Sequence, residues 1–410
     1  MLSTALFAFA PVVWRYSVVA EVFSLNSLLA VLLCGCLAAY LQRPRSTPLL
    51  LGSMILGMAV AHHHTLLILA FPMFLYVVWD LVRRRALTLM FLLQSLMSFT
   101  IGVLPVLYMP WSHQTPRVVT WGDTTTWIGF WTHLLRREYG TFQLASGDFN
   151  SSLAEGLFYF AHCCADNFFY ILPLIIVVLF WRWRPQTVWK RHFLWITVGS
   201  AIFYLTAFHS LANLPLAKAL YYEVQTRFWI MPFVILCLWM AVACDWLLSS
   251  LRWPPASVRV VTSAAAVLLA TSQFFLHIRA ENQSDNWFFH HHAEVTLNHL
   301  PKNSLLILRG DAFAHSSIYL HHVLGVRPDV VAVALDLYRY PWQKPLGTRF
   351  FPRLFIPGQI YSYLTSPESG HFSFVQFLDA NAHFDHIYFG NIIEQERTAN
   401  ALAKNKYDIW

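Results

Sequence analysis

Three groups of residues in this sequence carry side chains suited to chemistry. The first is Glu21, in the run Trp14-Arg-Tyr-Ser-Val-Val-Ala-Glu-Val-Phe-Ser-Leu-Asn. A carboxylate beside apolar sequence needs a reason, because charge near lipid is costly. It reads either as a catalytic base at a cavity or as an interfacial carboxylate paired with Arg15. The second group is His62-His63-His64, between two apolar stretches. Adjacent helical residues project about 100° apart, so three in a row cannot all face one ion. One imidazole, with His64 the candidate, donating to a phosphate or hydroxyl is one reading; a capping role is the other. The third group is the loop Thr120-Trp-Gly-Asp-Thr-Thr-Thr and, beyond it, His133-Leu-Leu-Arg-Arg-Glu-Tyr-Gly-Thr-Phe. It holds Asp123, a weak catalytic candidate, Arg136, and Arg137, Glu138 and Tyr139 as candidate donor-binding residues. Arginine suits phosphate, and aromatic planes suit sugar faces. An interfacial aromatic belt explains the tryptophans but not the paired charges. Arg227, just ahead of Phe228-Trp229, is a phosphate partner or a boundary anchor.

Two other runs carry less. His290-His291-His292 fails the same geometric test for a metal and reads as solvated surface. Arg309-Gly310-Asp311 spells an adhesion tripeptide, but its strand-turn setting makes coincidence the better explanation. No metal site and no cofactor is expected.

The elements that position these groups follow from composition. The 410 residues are 57% hydrophobic and 12% charged, with 17 Trp and 33 Phe. A soluble domain carries roughly 25% charged residues, so lipid is the expected solvent for much of the chain. The net charge of +7 is gathered in short basic clusters between apolar stretches. No basic stripe with interleaved aromatics occurs, which argues against nucleic acid as a partner. All six cysteines fall in apolar stretches, so neither a disulfide framework nor a zinc motif is indicated.

Arg43 and Arg45, Arg83 to Arg85, the Arg182 to Arg191 cluster, and Arg252 with Arg259 mark four breaks without an acidic residue. Placing all four in the cytosol satisfies the positive-inside rule. About eight membrane segments then fall within residues 1–278. Pro48 to Trp79 must go up and come back, turning near His62 to His64. Its two legs of about 15 residues each fall short of the ~20 that cross hydrocarbon, so a re-entrant pair or a turn buried in protein beside a cavity is expected. The sequons at Asn150 and Asn282 lie on the non-cytosolic side, as does the loop at 111–152. Residues 279–410 read as a luminal α/β domain. Ser304 to Arg309 suggests a buried strand, Ser317 to His322 a helix with Gly325 as its C-cap, and Val330 to Val333 a second strand.

Several runs resemble the multipass protein O-mannosyltransferases, of the GT-C class, that modify plexin-type IPT domains. These are Ala20-Glu-Val-Phe-Ser-Leu-Asn, Gly57 to Thr65, Thr120-Trp-Gly-Asp through Thr132-His, Arg137-Glu-Tyr-Gly-Thr-Phe and Arg227-Phe-Trp. Leu308-Arg-Gly-Asp, Arg327-Pro-Asp and Tyr340-Pro-Trp continue the match into the tail. The resemblance implies a GT-C-like multipass fold in the endoplasmic-reticulum membrane. It also implies transfer of mannose from dolichyl-phosphate-mannose to Ser or Thr of luminal acceptor domains. That chemistry needs a carboxylate base and cations for the departing phosphate, and demands no metal. Relatives carry an Asp-x-Gly-Glu loop absent here, and Asn-Gln-His-Thr where this chain has His62-His63-His64-Thr65. The chain is therefore expected to be truncated at both ends and to lack the usual base. A non-catalytic membrane scaffold and a transporter are the alternatives.

Overall fold

A computed structural model of the chain describes residues 2–115, 120–138, 152–168, 187–212, 214–250, 253–362 and 369–390. They divide into two compact units, Met1–Met109 with Leu134–Gln283, and Pro110–His133 with Ser284–Trp410.

The first unit is helical. It opens with α1 (Leu2–Ala8), α2 (Pro11–Ser17) and α3 (Phe23–Gln42), followed by α4 (Ser46–His62), α5 (Thr65–Arg83) and α6 (Leu89–Val103). A short α7 (Tyr108–Ser112) and α8 (Trp127–Leu134) lie at or beyond its boundary with the second unit. The first unit resumes with α9 (Leu153–Asn167), α10 (Val188–Ala212), α11 (Ala219–Thr226), α12 (Ile230–Ser250) and α13 (Pro255–Glu281). Six helical stretches among the described residues are long and apolar enough to cross a membrane: Phe23–Gln42, Thr65–Arg83, Leu89–Ser112, Val188–Ala212, Ala219–Trp246 and Pro255–Glu281. Only 11% of the Leu89–Ser112 and Pro255–Glu281 windows is buried, so their apolar side chains face outward. Apolar surface on that scale needs lipid or a partner to cover it, which fits a multipass membrane protein.

The turn expected near the three histidines is present, between two helices of unequal length. α4 runs 17 residues and α5 runs 19. Both extend beyond the purely apolar core of the sequence, α4 back to Ser46 and α5 on to Arg83. At ~1.5 Å per residue α5 is long enough to cross. The expected segment from Leu153 onward begins as α9, capped by the Ser152 hydroxyl accepting from the Glu155 amide at 3.1 Å. Its continuation lies outside the described residues.

α4 packs on α6 through backbone rather than side chains. A Cβ placed on Gly57 would collide with the carbonyl of Phe99, and one on Gly102 with the carbonyl of Met54. Small residues let helices approach closely where lipid removes any hydrophobic gain from burial.

The second unit contains α14 (Phe288–Asn298), α15 (Asp311–Ile318), α16 (Gln343–Phe350) and α17 (Phe374–Ala380). Its three-stranded sheet has the order β2-β1-β5, all parallel, from β1 (Leu305–Leu308), β2 (Val331–Ala334) and β5 (Ile387–Phe389). A separate parallel pair joins β3 (Ile360–Tyr361) to β4 (His371–Phe372). All four residues of β1 are buried. Alternation sends Leu305 and Ile307 to a core with Tyr338, Phe372 and Phe377, and Leu306 and Leu308 to one with Ala293, Leu297 and Ala314. The helix expected at Ser317 begins earlier, at Asp311, and closes as a π turn over Tyr319–Val323 before Gly325 at φ +71°. His292 is not simply solvated, because its ring lies 4.5 Å from that of Phe313.

Gly57→Leu should lower the stability of the detergent-solubilised chain by about 1–3 kcal/mol, the usual cost of overpacking. Thermal unfolding measures it, and an unchanged midpoint would show that α4 and α6 do not meet through Gly57.

Candidate active site at one end of the helical unit

Three of the sequence runs singled out above meet at one end of the first unit. Glu21 sits in the link between α2 and α3, the histidine turn joins α4 to α5, and Arg227 follows α11. Glu21 accepts a hydrogen bond from Arg227 Nη1 at 3.1 Å, with both side chains about 30% exposed (31% and 29%). The guanidinium carbon of Arg227 also lies 5.6 Å from the ring centre of Phe23 and 5.5 Å from that of Phe228. His63 completes the group, its ring 5.7 Å from Phe23 and 6.1 Å from Phe228. The Arg227 guanidinium thus lies between two aromatic faces and one carboxylate.

Arg15 is not the partner of Glu21. Its Nε and Nη2 donate to the two oxygens of Glu281 at 3.1 and 2.8 Å, and its Nη1 donates to Glu223 at 2.8 Å. Glu281 is 3% exposed, so this fork satisfies a buried carboxylate at the end of α13. Its hydrogen bonding to Glu281, opposed in part by burial, raises the Arg15 pKa above its ordinary value. Tyr16 donates to the Glu223 carbonyl at 3.0 Å, fastening α2 to α11 a second time. Glu223 and Glu281 went unread in the sequence. The available signal was that both are acidic residues beside long apolar stretches, where charge needs a partner.

The three histidines bond in three directions. His62 Nε2 meets the Val22 carbonyl at 2.9 Å, His63 Nδ1 meets the Thr65 hydroxyl, and His64 Nε2 meets the Val60 carbonyl at 3.0 Å. No single ion could draw on all of them. Beneath the turn, Asn26 Nδ2 donates to Thr65 Oγ1 at 3.3 Å, and the Tyr204 hydroxyl donates to the Phe228 carbonyl at 2.9 Å. Asn26 is fully buried and its Oδ1 has no partner among the described residues. These buried polar contacts tie the three motifs to one another from below.

Of the remaining candidates, Arg137 is exposed and Glu138 half-buried. Tyr139 and Asn150 lie outside the described residues. Arg136 also reaches the histidine turn electrostatically, its charge acting on both His63 and His64, beside that of Arg227 on His63. In the second unit Asp123 accepts from the Thr125 amide at 3.0 Å and from its hydroxyl, which shapes its own turn. Gly122 at φ +84° allows that turn, and a Cβ there would meet the His133 ring. Trp121 stands 6.1 Å from Tyr340 and 6.2 Å from Trp342, which stack on each other at 5.3 Å. Two more of the sequence motifs thus share one aromatic cluster. Arg327 serves structure: it pairs with Asp329 and donates to the carbonyls of Leu297 and Leu300, at the end of α14 and just beyond it. Arg309 pairs with Asp336 at 3.2 Å. His290, His291 and Glu294 place ligand atoms within 4.8 Å of one another on the partly exposed α14.

Burial, reinforced by Arg136, lowers the His63 pKa from 6.5 to about 4. Between those values the unfolded chain binds a proton that the folded chain refuses, so stability falls as pH drops through the window and is fully present above 6.5. Thermal midpoints of the solubilised chain should fall from pH 6.5 toward 4, and His63→Asn should shrink the decline. An unaltered profile in that variant would remove His63 as its source.

The first 87 residues match the family model described as the protein O-mannosyl-transferase TMEM260 N-terminal domain. A mouse (Mus musculus) relative named protein O-mannosyl-transferase TMEM260 is 28% identical over 100% of this chain and 59% of its own length. A Dictyostelium discoideum relative of the same name is 29% identical over 95% of this chain and 51% of its own length. The chain thus spans little more than half of the curated relatives it matches. No solved structure matches it. The chain is thus similar along nearly its whole length to proteins named protein O-mannosyl-transferase.

Proposed function

We propose that the chain is the core of a glycosyltransferase of the endoplasmic-reticulum membrane that moves mannose from dolichyl-phosphate-mannose to Ser or Thr of luminal IPT-type domains. The observation that carries this reading is the Glu21–Arg227 pair at the aromatic end of the helical unit, beside the His63 turn. The sequon Asn282 follows Glu281, which Arg15 holds at the same end, so the charge rule and the sequon favour the lumen for this face.

The chemistry divides between the two partners. Arg227 presents a guanidinium fork suited to the phosphodiester, where it offsets the charge developing on the departing dolichyl phosphate. Glu21 takes the proton of the acceptor hydroxyl as its oxygen attacks the anomeric carbon. The C–O bond to phosphate breaks as the new glycosidic bond forms, and the proton stays on the carboxylate until it reaches solvent. A phosphate arriving at Arg227 competes with Glu21 for the guanidinium, which frees the carboxylate as the donor binds.

Three outcomes test this in microsomes containing the chain. Arg227→Ala should weaken dolichyl-phosphate-mannose binding by the roughly 1.5–3 kcal/mol of a lost charge-assisted contact. Glu21→Gln should keep donor binding and lose transfer by about 10²–10⁴-fold where transfer is measurable. Unchanged donor binding in the first variant, or undiminished transfer in the second, would overturn the assignment. Asn282→Gln should abolish a glycosidase-sensitive mass shift, and labelling of position 282 from the cytosolic side would reverse the orientation.

A further inference from the structure

The opposite end of α5 carries a second polar site that the transfer reaction does not use. α5 runs 19 residues from the histidine turn to this end, about 28 Å at 1.5 Å per residue. A cavity of about 580 Å³ opens there between the ends of α3 and α5 and the start of α10. That is ample room for a small polar group, within the ordinary range of ligand pockets.

Its walls are built rather than incidental. Asp80 is 5% exposed and accepts from the Tyr40 hydroxyl at 2.7 Å and from Arg84 Nε at 2.6 Å. The carboxylate is thereby neutralised, and Arg84 is held in place. Across the cavity the Tyr76 hydroxyl and His192 Nδ1 are 2.7 Å apart. Arg83 also lines the cavity and makes no ion pair among the described residues. Its guanidinium carbon stays 5.5 Å from the centre of the Trp79 ring. Close in sequence stand Arg43, Arg45, Arg85, Lys190 and Arg191, with no acidic residue other than Asp80. Trp79, beside Arg83, is 52% exposed and gives the cavity an apolar outer edge.

We infer that this cavity binds the phosphate-bearing headgroup of an anionic phospholipid, with an acyl chain along the exposed Trp79. A basic pocket between membrane helices recognises such headgroups, and each arginine near the surface contributes enough to change occupancy about fivefold. Arg83 supplies the uncompensated charge, Arg84 is fixed by Asp80, and the aromatic residues mark the interface.

The test is native mass spectrometry of the solubilised full chain with phosphatidylinositol or phosphatidylcholine, glycerophosphate serving as a tail-free competitor. The wild-type chain should retain phosphatidylinositol over phosphatidylcholine, and Arg83→Gln should cut that retention about fivefold. Arg83 is exposed, so the variant should fold, and an unchanged thermal midpoint confirms it. Arg227→Ala should leave the retention intact, which separates this site from the donor site. Equal retention of both lipids, no effect of Arg83→Gln, or complete displacement by millimolar glycerophosphate would overturn a lipid headgroup site.

Discussion

A charge at the edge of an apolar bundle must be paired or be expelled to water, and the arrangement of the first unit depends on how that demand is met. Glu281 ends a helix whose apolar residues mostly face outward, yet the carboxylate itself is almost fully buried. Removing its partner would leave a buried charge uncompensated, which is far more costly than the pair is favourable. Arg15 therefore cannot move independently of α13. Because the same guanidinium holds Glu223, it also ties the start of the chain to α11. Three segments remote in sequence are fixed by one side chain, and the link that carries Glu21 begins just after it.

The two ends of α5 meet the demand differently. At its C-terminal end Asp80 and Arg84 are four residues apart on one helix, and Tyr40 adds a single outside contact. At its N-terminal end the groups come from α2, α3, α11 and the histidine turn, so no one helix satisfies them. The first end is rigid through local geometry. The second exists only when the bundle is assembled, and sites built from several elements are where binding and chemistry gather.

That contrast explains how much could be read in advance. The long apolar stretches pointed to most of the helices long and apolar enough to span, because lipid imposes a length rule on each segment separately. The turn at His62 to His64 was legible for the same reason. The Arg15–Glu281 pair was not, since it joins residues 266 apart and neither has a local pattern that names the other. Glu21 was legible as a charge out of place, but its partner was not, and the bland alternative of Arg15 failed because Arg15 was already taken by two carboxylates. In the second unit β1 and β2 were visible as apolar runs, whereas β5, three residues long and only partly buried, offers too little pattern to read. The grouping of Pro110–His133 with the tail likewise depends on contacts that cross almost the entire intervening chain.

The same accounting separates the carboxylates at the aromatic end. Glu281 has both oxygens engaged by Arg15 and lies inside the bundle, where no acceptor hydroxyl could approach its lone pairs. Glu223 is more exposed, but its carboxylate is bound to the same guanidinium at 2.8 Å, and that bond also anchors α2. A base must surrender its contacts to take a proton, so using either would loosen the packing that forms the site. Glu21 stands apart on each count. It is about one-third exposed, held by a single contact of 3.1 Å, and sits in a link between helices rather than within one. Its partner Arg227 has a second source of stabilisation in the rings of Phe23 and Phe228, and keeps that hold when the carboxylate turns away. The carboxylate that costs the fold least to release is therefore the one paired with Arg227.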